Sequence, residues 1–275
     1  RIATNLPIRH NDNEGTPIAS IDGDTGTFNI TETDKTGKDF RGKGKLEYVG
    51  EHYLKWTNGT YFFKAGTNSP ETFLSFADFD NTDATRTYND HIGDWEAGDP
   101  LWKSTKGRGI IGVVNYLASL DLNAQYFVPY RNNFNPSPWV DAPNDKITLD
   151  VSKTDQWRIV FDHMMEKGIM THFVLSEVQT QSMFEQLSDA EGDPDFANGR
   201  KIFYREMIAR FGYLNAITWN IGEENGWNRN TNWGRAVTDQ QIVEFSGYID
   251  ALAYYQDHIT EHNGPAGDDS LFFGV

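Results

Sequence analysis

Three carboxylates and an amide hold the chemistry that this sequence suggests. Glu223, Glu224 and Asn225 close the run Ile217-Thr218-Trp219-Asn220-Ile221-Gly222-Glu223-Glu224-Asn225. Glu177 closes a second run, Ile169-Met170-Thr171-His172-Phe173-Val174-Leu175-Ser176-Glu177. Each is a short apolar stretch that ends abruptly in acid. Carboxylate pairs suit glycoside hydrolysis, in which one protonates the leaving oxygen and the other serves as nucleophile or base. A glutamate at a strand end, pinned by neighbours and partly desolvated, can hold the raised pKa that such an acid requires. The same spacing equally suits a strand-end pair that caps a helix or pairs with Arg229 or Arg235. Glu177 reads either as a second carboxylate or as a solvated strand-end charge or substrate hydrogen bond.

Other polar groups cluster in loops. Asp78, Asp80 and Asp83, with Asp90, His91 and Asp94, crowd the loop after an expected first strand. They read as part of a sugar cleft or as an Asx-turn-rich surface loop. Oxygen-rich clusters can bind calcium, but the spacing is not that of an EF-hand loop; no metal is assigned and no cofactor is expected. Trp95, Trp102, Trp139, Trp227 and Trp233 all follow strands. There they act as lids over a barrel mouth or, several on one face, as platforms for sugar rings. His262 closes an expected strand and is assigned to the cleft, whereas His172, inside a strand, is read as a satisfied core residue. No Gly-x-Ser-x-Gly elbow, P-loop or HExxH occurs, so serine hydrolase, nucleotide hydrolase and zinc protease readings have no support.

The elements that must position these residues separate into two zones. Residues 1–60 are turn-rich and strand-like, with a hairpin expected where Leu46-Glu47-Tyr48-Val49 and Tyr53-Leu54-Lys55-Trp56 flank Gly50-Glu51-His52. Residues 61–275 alternate strand and helix. Strands are expected at 61–66, 124–129, 169–175, 217–221 and 258–262. Helices are expected over 109–120, from Ser152 with Asp155 as capping partner, around Phe203, Met207 and Phe211, and from a Thr238–Gln241 capping box with Ile242, Phe245, Ile249 and Leu252 on one face. Such alternation implies a parallel sheet with helical crossovers. No glycine-rich phosphate turn follows the first strand, and polar residues gather at the strands' C-terminal tips. The α/β fold expected is therefore a (β/α)8 barrel of the TIM type, preceded by a short antiparallel β region. A barrel needs eight units and about 250 residues, so only about the first five strands are expected here.

Composition narrows the partners. The formal charge is −16, from 24 basic and 40 acidic side chains, which argues against nucleic acid and an anionic membrane surface. No run approaches the roughly 18 apolar residues of a membrane span. There is no cysteine, hence no disulfide or thiolate metal site. The chain starts at Arg1 without a signal sequence, which reads as processed, trimmed or fragmentary. The 8 Trp, 12 Tyr and 18 Phe are enough to furnish sugar-stacking faces besides a core.

Two resemblances add to this. Trp219-Asn220-Ile221-Gly222-Glu223-Glu224-Asn225 resembles the fourth-strand signature of clan A glycoside hydrolases, in which an Asn-Glu pair ends the strand and the Glu is the acid/base. That likeness puts Glu224 in the acid/base place and Glu223 where asparagine usually contacts the sugar's 2-hydroxyl. A second carboxylate there would tend to raise its neighbour's pKa. More broadly, Asp39-Phe40-Arg41-Gly42-Lys43-Gly44-Lys45-Leu46, Tyr61-Phe62-Phe63-Lys64-Ala65-Gly66, Ser69-Pro70-Glu71-Thr72-Phe73-Leu74, Asp78-Phe79-Asp80, Asp150-Val151-Ser152-Lys153-Thr154-Asp155-Gln156-Trp157 and Ala209-Arg210-Phe211 resemble glycoside hydrolases that carry an N-terminal Ig-like region (the DUF5060 type), over about residues 20 to 262. The resemblance implies a secreted bacterial polysaccharide-utilisation protein, with residues 1–60 the remnant of an Ig-like region and the clan's nucleophile on a later strand. The expected function is cleavage of a polysaccharide or oligosaccharide by a two-carboxylate, retaining mechanism. Glu224 would be acid/base, with Glu223, Asn225, Asp78, Asp80, His91, Trp95, Trp227 and His262 around the substrate. The alternative is a non-catalytic carbohydrate-binding or surface-assembly protein on a hydrolase-derived scaffold.

Overall fold

The computed structural model describes residues 19–20, 22–69, 72–84, 86–130, 136–141, 145–177, 198–224, 237–253 and 255–262. The first elements form a small antiparallel sheet of β1 (Leu46–Glu47), β2 (Leu54–Trp56) and β3 (Tyr61–Phe62), with Leu46 opposite Trp56 and Leu54 opposite Phe62. Its buried side is aromatic: the Phe40 and Trp56 rings lie 4.7 Å apart and Trp56 meets Phe62 edge-on at 5.9 Å. The expected hairpin around Gly50 is present. The expected first barrel strand is not where the apolar run 61–66 put it. Tyr61–Phe62 belongs to the small sheet, because Phe62 packs on Trp56, and the first parallel strand is β4 (Gly66–Asn68). Gly66 permits close pairing there, since a Cβ on it would lie 2.2 Å from the Ala124 carbonyl oxygen.

Strand and helix then alternate: α1 (Arg108–Ser119), β5 (Ala124–Phe127), the antiparallel pair β6 (Trp139–Asp141) and β7 (Asp145–Leu149), α2 (Val151–Lys167), β8 (Met170–Val174), α3 (Asn198–Phe211), β9 (Ile217–Asn220), α4 (Asp239–Leu252) and β10 (His258–Thr260). The parallel sheet runs β10-β9-β8-β5-β4. Strands lie side by side in chain order with a helix between successive members, which is the wall of a singly wound barrel; a doubly wound sheet would reverse order at a switch point. Helix ends follow local chemistry. Thr238 and Gln241 form the reciprocal capping box, and Gly168 closes α2 in the left-handed region at φ 79°. Helix α2 is capped by Asp150, whose carboxylate accepts the Lys153 N–H, and not from Ser152 as its spacing suggested. The β6–β7 hairpin had no signal in the alternating pattern.

Side chains on the outer face of the sheet fill the layer beneath the helices. Phe127 stacks on Phe161 at 5.2 Å, Phe161 meets Phe211 at 5.0 Å, and Phe173 meets Trp219 at 5.5 Å. The small sheet is fixed under the N-terminal ends of β9 and β10. Leu46 N–H donates to the Asn215 carbonyl, and the buried Lys45 ammonium reaches Asp257 at 2.7 Å and the Gly212 and Leu214 carbonyls at 3.0 and 2.8 Å. Among the described residues, no helix is long and apolar enough to cross a membrane.

Candidate active site

Strand pairing brings the acidic tips together. β8 and β9 run parallel with Val174 opposite Asn220, and the register continues three residues on, so that Glu177 pairs with Glu223. The Glu223 N–H donates to the Ser176 carbonyl at 2.9 Å, and Ser176 Oγ donates to the Ile221 carbonyl at 2.7 Å. Backbone bonds therefore lock the two tips side by side at the C-terminal end of the sheet. Glu223 is nearly buried, and its Oε1 accepts the Tyr126 hydroxyl at 3.1 Å. His262 follows β10; its Nδ1 lies 3.3 Å from the Tyr126 hydroxyl and 3.8 Å from Glu223 Oε1, while its N–H donates to the Gly222 carbonyl at 3.0 Å. Glu224 is half-buried and sits in the left-handed region at φ 57°, a sparsely populated place for a non-glycine residue.

Tyr126, which rises from β5 beside β8, was not singled out from the sequence. Burial pushes its phenol above its usual value, and the carboxylates of Glu223, Glu224 and Glu177 push it further. It therefore stays a neutral donor at a point where three carboxylate fields overlap. Beneath it, the His172 ring packs on Tyr126 at 4.7 Å. His172 is buried with both ring nitrogens partnered, by Lys64 Nζ at 2.7 Å and Asn220 Nδ2 at 3.1 Å. Burial holds its pKa well below the usual imidazole value. His258 is pushed down to about 4, chiefly by burial. A strand-period signal existed for this polar column. Tyr126, His172, Thr218, Asn220 and His258 occupy alternating positions on strands whose intervening residues include Phe127, Phe173 and Trp219.

The loop between β4 and α1 has its own set of contacts. Asp78 bonds to Lys106 Nζ at 2.7 Å and to the Gly107 N–H at 3.1 Å. Asp80 pairs with Lys103 at 2.5 Å and accepts the Ser152 hydroxyl, while its own N–H donates to Gln156. These contacts draw it to the start of α2. His91 bonds to Asp94 at 2.9 Å and packs on Tyr116, and Trp95 lies under the Arg108 guanidinium at 4.6 Å. These contacts are with that loop and with helices α1 and α2. Asn225 and Trp227 lie outside the described residues. Among the described residues, no three His, Asp or Glu side chains are placed to hold a metal ion.

Among solved structures, a glycoside hydrolase family 5 protein from Bacteroides vulgatus ATCC 8482 superposes with a TM-score of 0.54, at 16% identity, covering 89% of this chain and 44% of that one. The fold is of the TIM-barrel kind. A second structure, described as a glycoside hydrolase, matches with a TM-score of 0.51 at 16% identity over 83% of this chain and 43% of its own. The chain thus spans less than half the length of either. No family model matches the sequence, and no curated protein matches it.

Proposed function

We propose that this chain carries the acid/base side of a glycoside hydrolase active site, with Glu224 as the proton donor. The observation that carries the reading is the pairing of Glu177 with Glu223 at the C-terminal end of a parallel sheet, with the Tyr126 hydroxyl on Glu223 and Glu224 next in the chain, where barrels of this kind build their chemistry. The likeness to glycoside hydrolase barrels supports it. Glu223 is already engaged by Tyr126 and nearly buried, which suits a fixed ligand for a sugar hydroxyl. Glu224, one residue on and half-buried, has the access to a glycosidic oxygen that Glu223 lacks. Its left-handed backbone is the kind of local strain that functional sites retain. In a retaining mechanism the second carboxylate stands about 5 Å from the first. Glu177 is the candidate among the described residues, and a glutamate on a later barrel strand, as in clan A, is the other. The resemblance to hydrolases with an Ig-like region suggests a bacterial extracellular or periplasmic polysaccharide as substrate.

The test uses the protein at its native length against a panel of plant, algal and microbial polysaccharides, scored by release of reducing ends. Glu224→Gln is expected to lose roughly 10²–10⁴-fold of turnover, the usual weight of a general acid, with glycan binding retained. Full turnover by that variant would remove Glu224 from the role. Glycan binding without cleavage by the native protein would favour a binding module.

A further inference from the structure

The polar column beneath the carboxylates is a chain of hydrogen bonds through Gly222, Asn220, His172 and Lys64. Its donors and acceptors can be counted. The Gly222 N–H lies 3.0 Å from Asn220 Oδ1. A backbone N–H can only donate, so the Asn220 atom facing it must be the amide oxygen, and the Asn220 NH2 is turned to His172 Nε2 at 3.1 Å. An NH2 also only donates. His172 Nε2 must therefore accept, and the proton of the neutral ring resides on Nδ1. A protonated ring would set Nε2–H against the Asn220 NH2, so the geometry alone requires a neutral imidazole. Nδ1–H in turn points at Lys64 Nζ, 2.7 Å away, which completes the chain when Lys64 is a neutral amine with a lone pair to offer. Lys64 is an exposed residue, and desolvation of its amine lowers its pKa from the usual lysine value.

We propose that Asn220, held by the Nδ1–H tautomer of His172, is the positioning residue of the carboxylate pair. Asn220 Oδ1 folds the chain back on the Gly222 N–H, a local side-chain turn, and the next two residues are Glu223 and Glu224. With this bond in place, Glu223 meets Tyr126 and Glu224 takes its left-handed conformation. Without it, the Gly222 N–H loses its partner and the turn is held only by the His262 N–H on the Gly222 carbonyl and by the Glu223 N–H on the Ser176 carbonyl, which leaves Gly222 more freedom to redirect both side chains. The groups facing His172 are Lys64, Asn220, Tyr126, His258 and His262, and none is a carboxylate. No anion is therefore among them to favour an imidazolium. The role in turnover rests on the hydrolase reading above; the tautomer and the turn do not.

Three measurements on the native-length protein test this. The ¹⁵N NMR spectrum of labelled protein at neutral pH should show His172 with a protonated Nδ1 and a bare Nε2; a protonated Nε2 would overturn the proposal. Hydrogen exchange at the Gly222 amide should rise about 100-fold or more in Asn220→Ala as the turn opens, and unchanged protection would overturn it. On whichever panel polysaccharide the native protein cleaves, Asn220→Ala should lower kcat roughly 100-fold while KM stays within about threefold, as for misplaced catalytic groups. His172→Gln, whose side-chain oxygen can accept where Nε2 does, should restore turnover to within about threefold of native, whereas His172→Phe should match Asn220→Ala. Equal loss in the Gln and Phe variants would reduce His172 to a packing role and refute the relay. If the native protein cleaves nothing, the hydrolase reading fails while the spectrum and the exchange still decide the turn.

Discussion

Replacing Lys45 by methionine should detach the small antiparallel sheet from the barrel wall and cost more than any surface ion pair. Both partners of the Lys45–Asp257 pair are nearly dry, with side-chain exposures of 7% and 2%. Asp257 Oδ1 makes no directional hydrogen bond, so the ammonium at 2.7 Å is what compensates it; the other oxygen accepts Trp219 Nε1–H at 2.9 Å. Methionine keeps the apolar stem but strands a buried carboxylate, a change that costs about 3–5 kcal/mol when one partner of a buried pair is removed. The Gly212 and Leu214 carbonyls lose their donor as well, which puts the expectation at the upper end of that range. Because the penalty is the orphaned charge, the double variant Lys45→Met with Asp257→Leu should be less destabilised than Lys45→Met alone. Urea titration followed by tryptophan fluorescence measures both, and the Leu46 amide, bonded to the Asn215 carbonyl, should lose exchange protection with the single change. A cost below about 1 kcal/mol for Lys45→Met, the range of exposed pairs, or additive effects in the double variant, would refute the reasoning.

Three further outcomes are expected. Tyr126→Phe removes the hydroxyl that Glu223 accepts and should lower turnover by about 1.5–3 kcal/mol, the usual weight of a hydrogen bond to a charged group, measured as kcat/KM beside the native protein. Stability should fall as pH drops from about 6.5 towards 4. His163 and His258 are both held near 4, chiefly by burial, so the unfolded chain takes up protons that the folded one refuses, at up to about 3 kcal/mol for each; thermal melts across that window check it, and a flat profile counts against it. Gly112→Ala should destabilise by roughly 1–3 kcal/mol or more, because its Cβ would stand 1.8 Å from the His91 carbonyl oxygen on the 3-10 turn Asn89–Asp94 that packs against α1; urea denaturation would show it.

The order of strands and helices was legible in the chain because the buried strands write short, largely apolar runs, as in 169–175, or a period-2 alternation, as in 217–221, and because caps such as Thr238–Gln241 are local chemistry. So was the clustering of acid at strand tips. Where two explanations competed locally, the sequence was silent. The run 61–66 reads as one strand, yet Phe62 is claimed by Trp56 and Phe40 in the small sheet, and only Gly66–Asn68 pairs with β5. The aspartates of 78–94 read either as part of a cleft or as a surface loop; in the structure Asp78 bonds to Lys106, and Asp80 to Lys103 and to Ser152 at the start of α2.

What residue order determined by itself was the alternating fold and a short set of acids able to do the chemistry. What only the tertiary structure decided was their company. Tyr126, His172, Asn220, Glu223 and His262 come from four strands or strand ends far apart in the chain, and it is parallel register that stacks them in one column. Register is a property of pairs of strands. No single segment carries it, and so neither the donor that meets Glu223 nor the tautomer of His172 could be read before the strands were laid side by side.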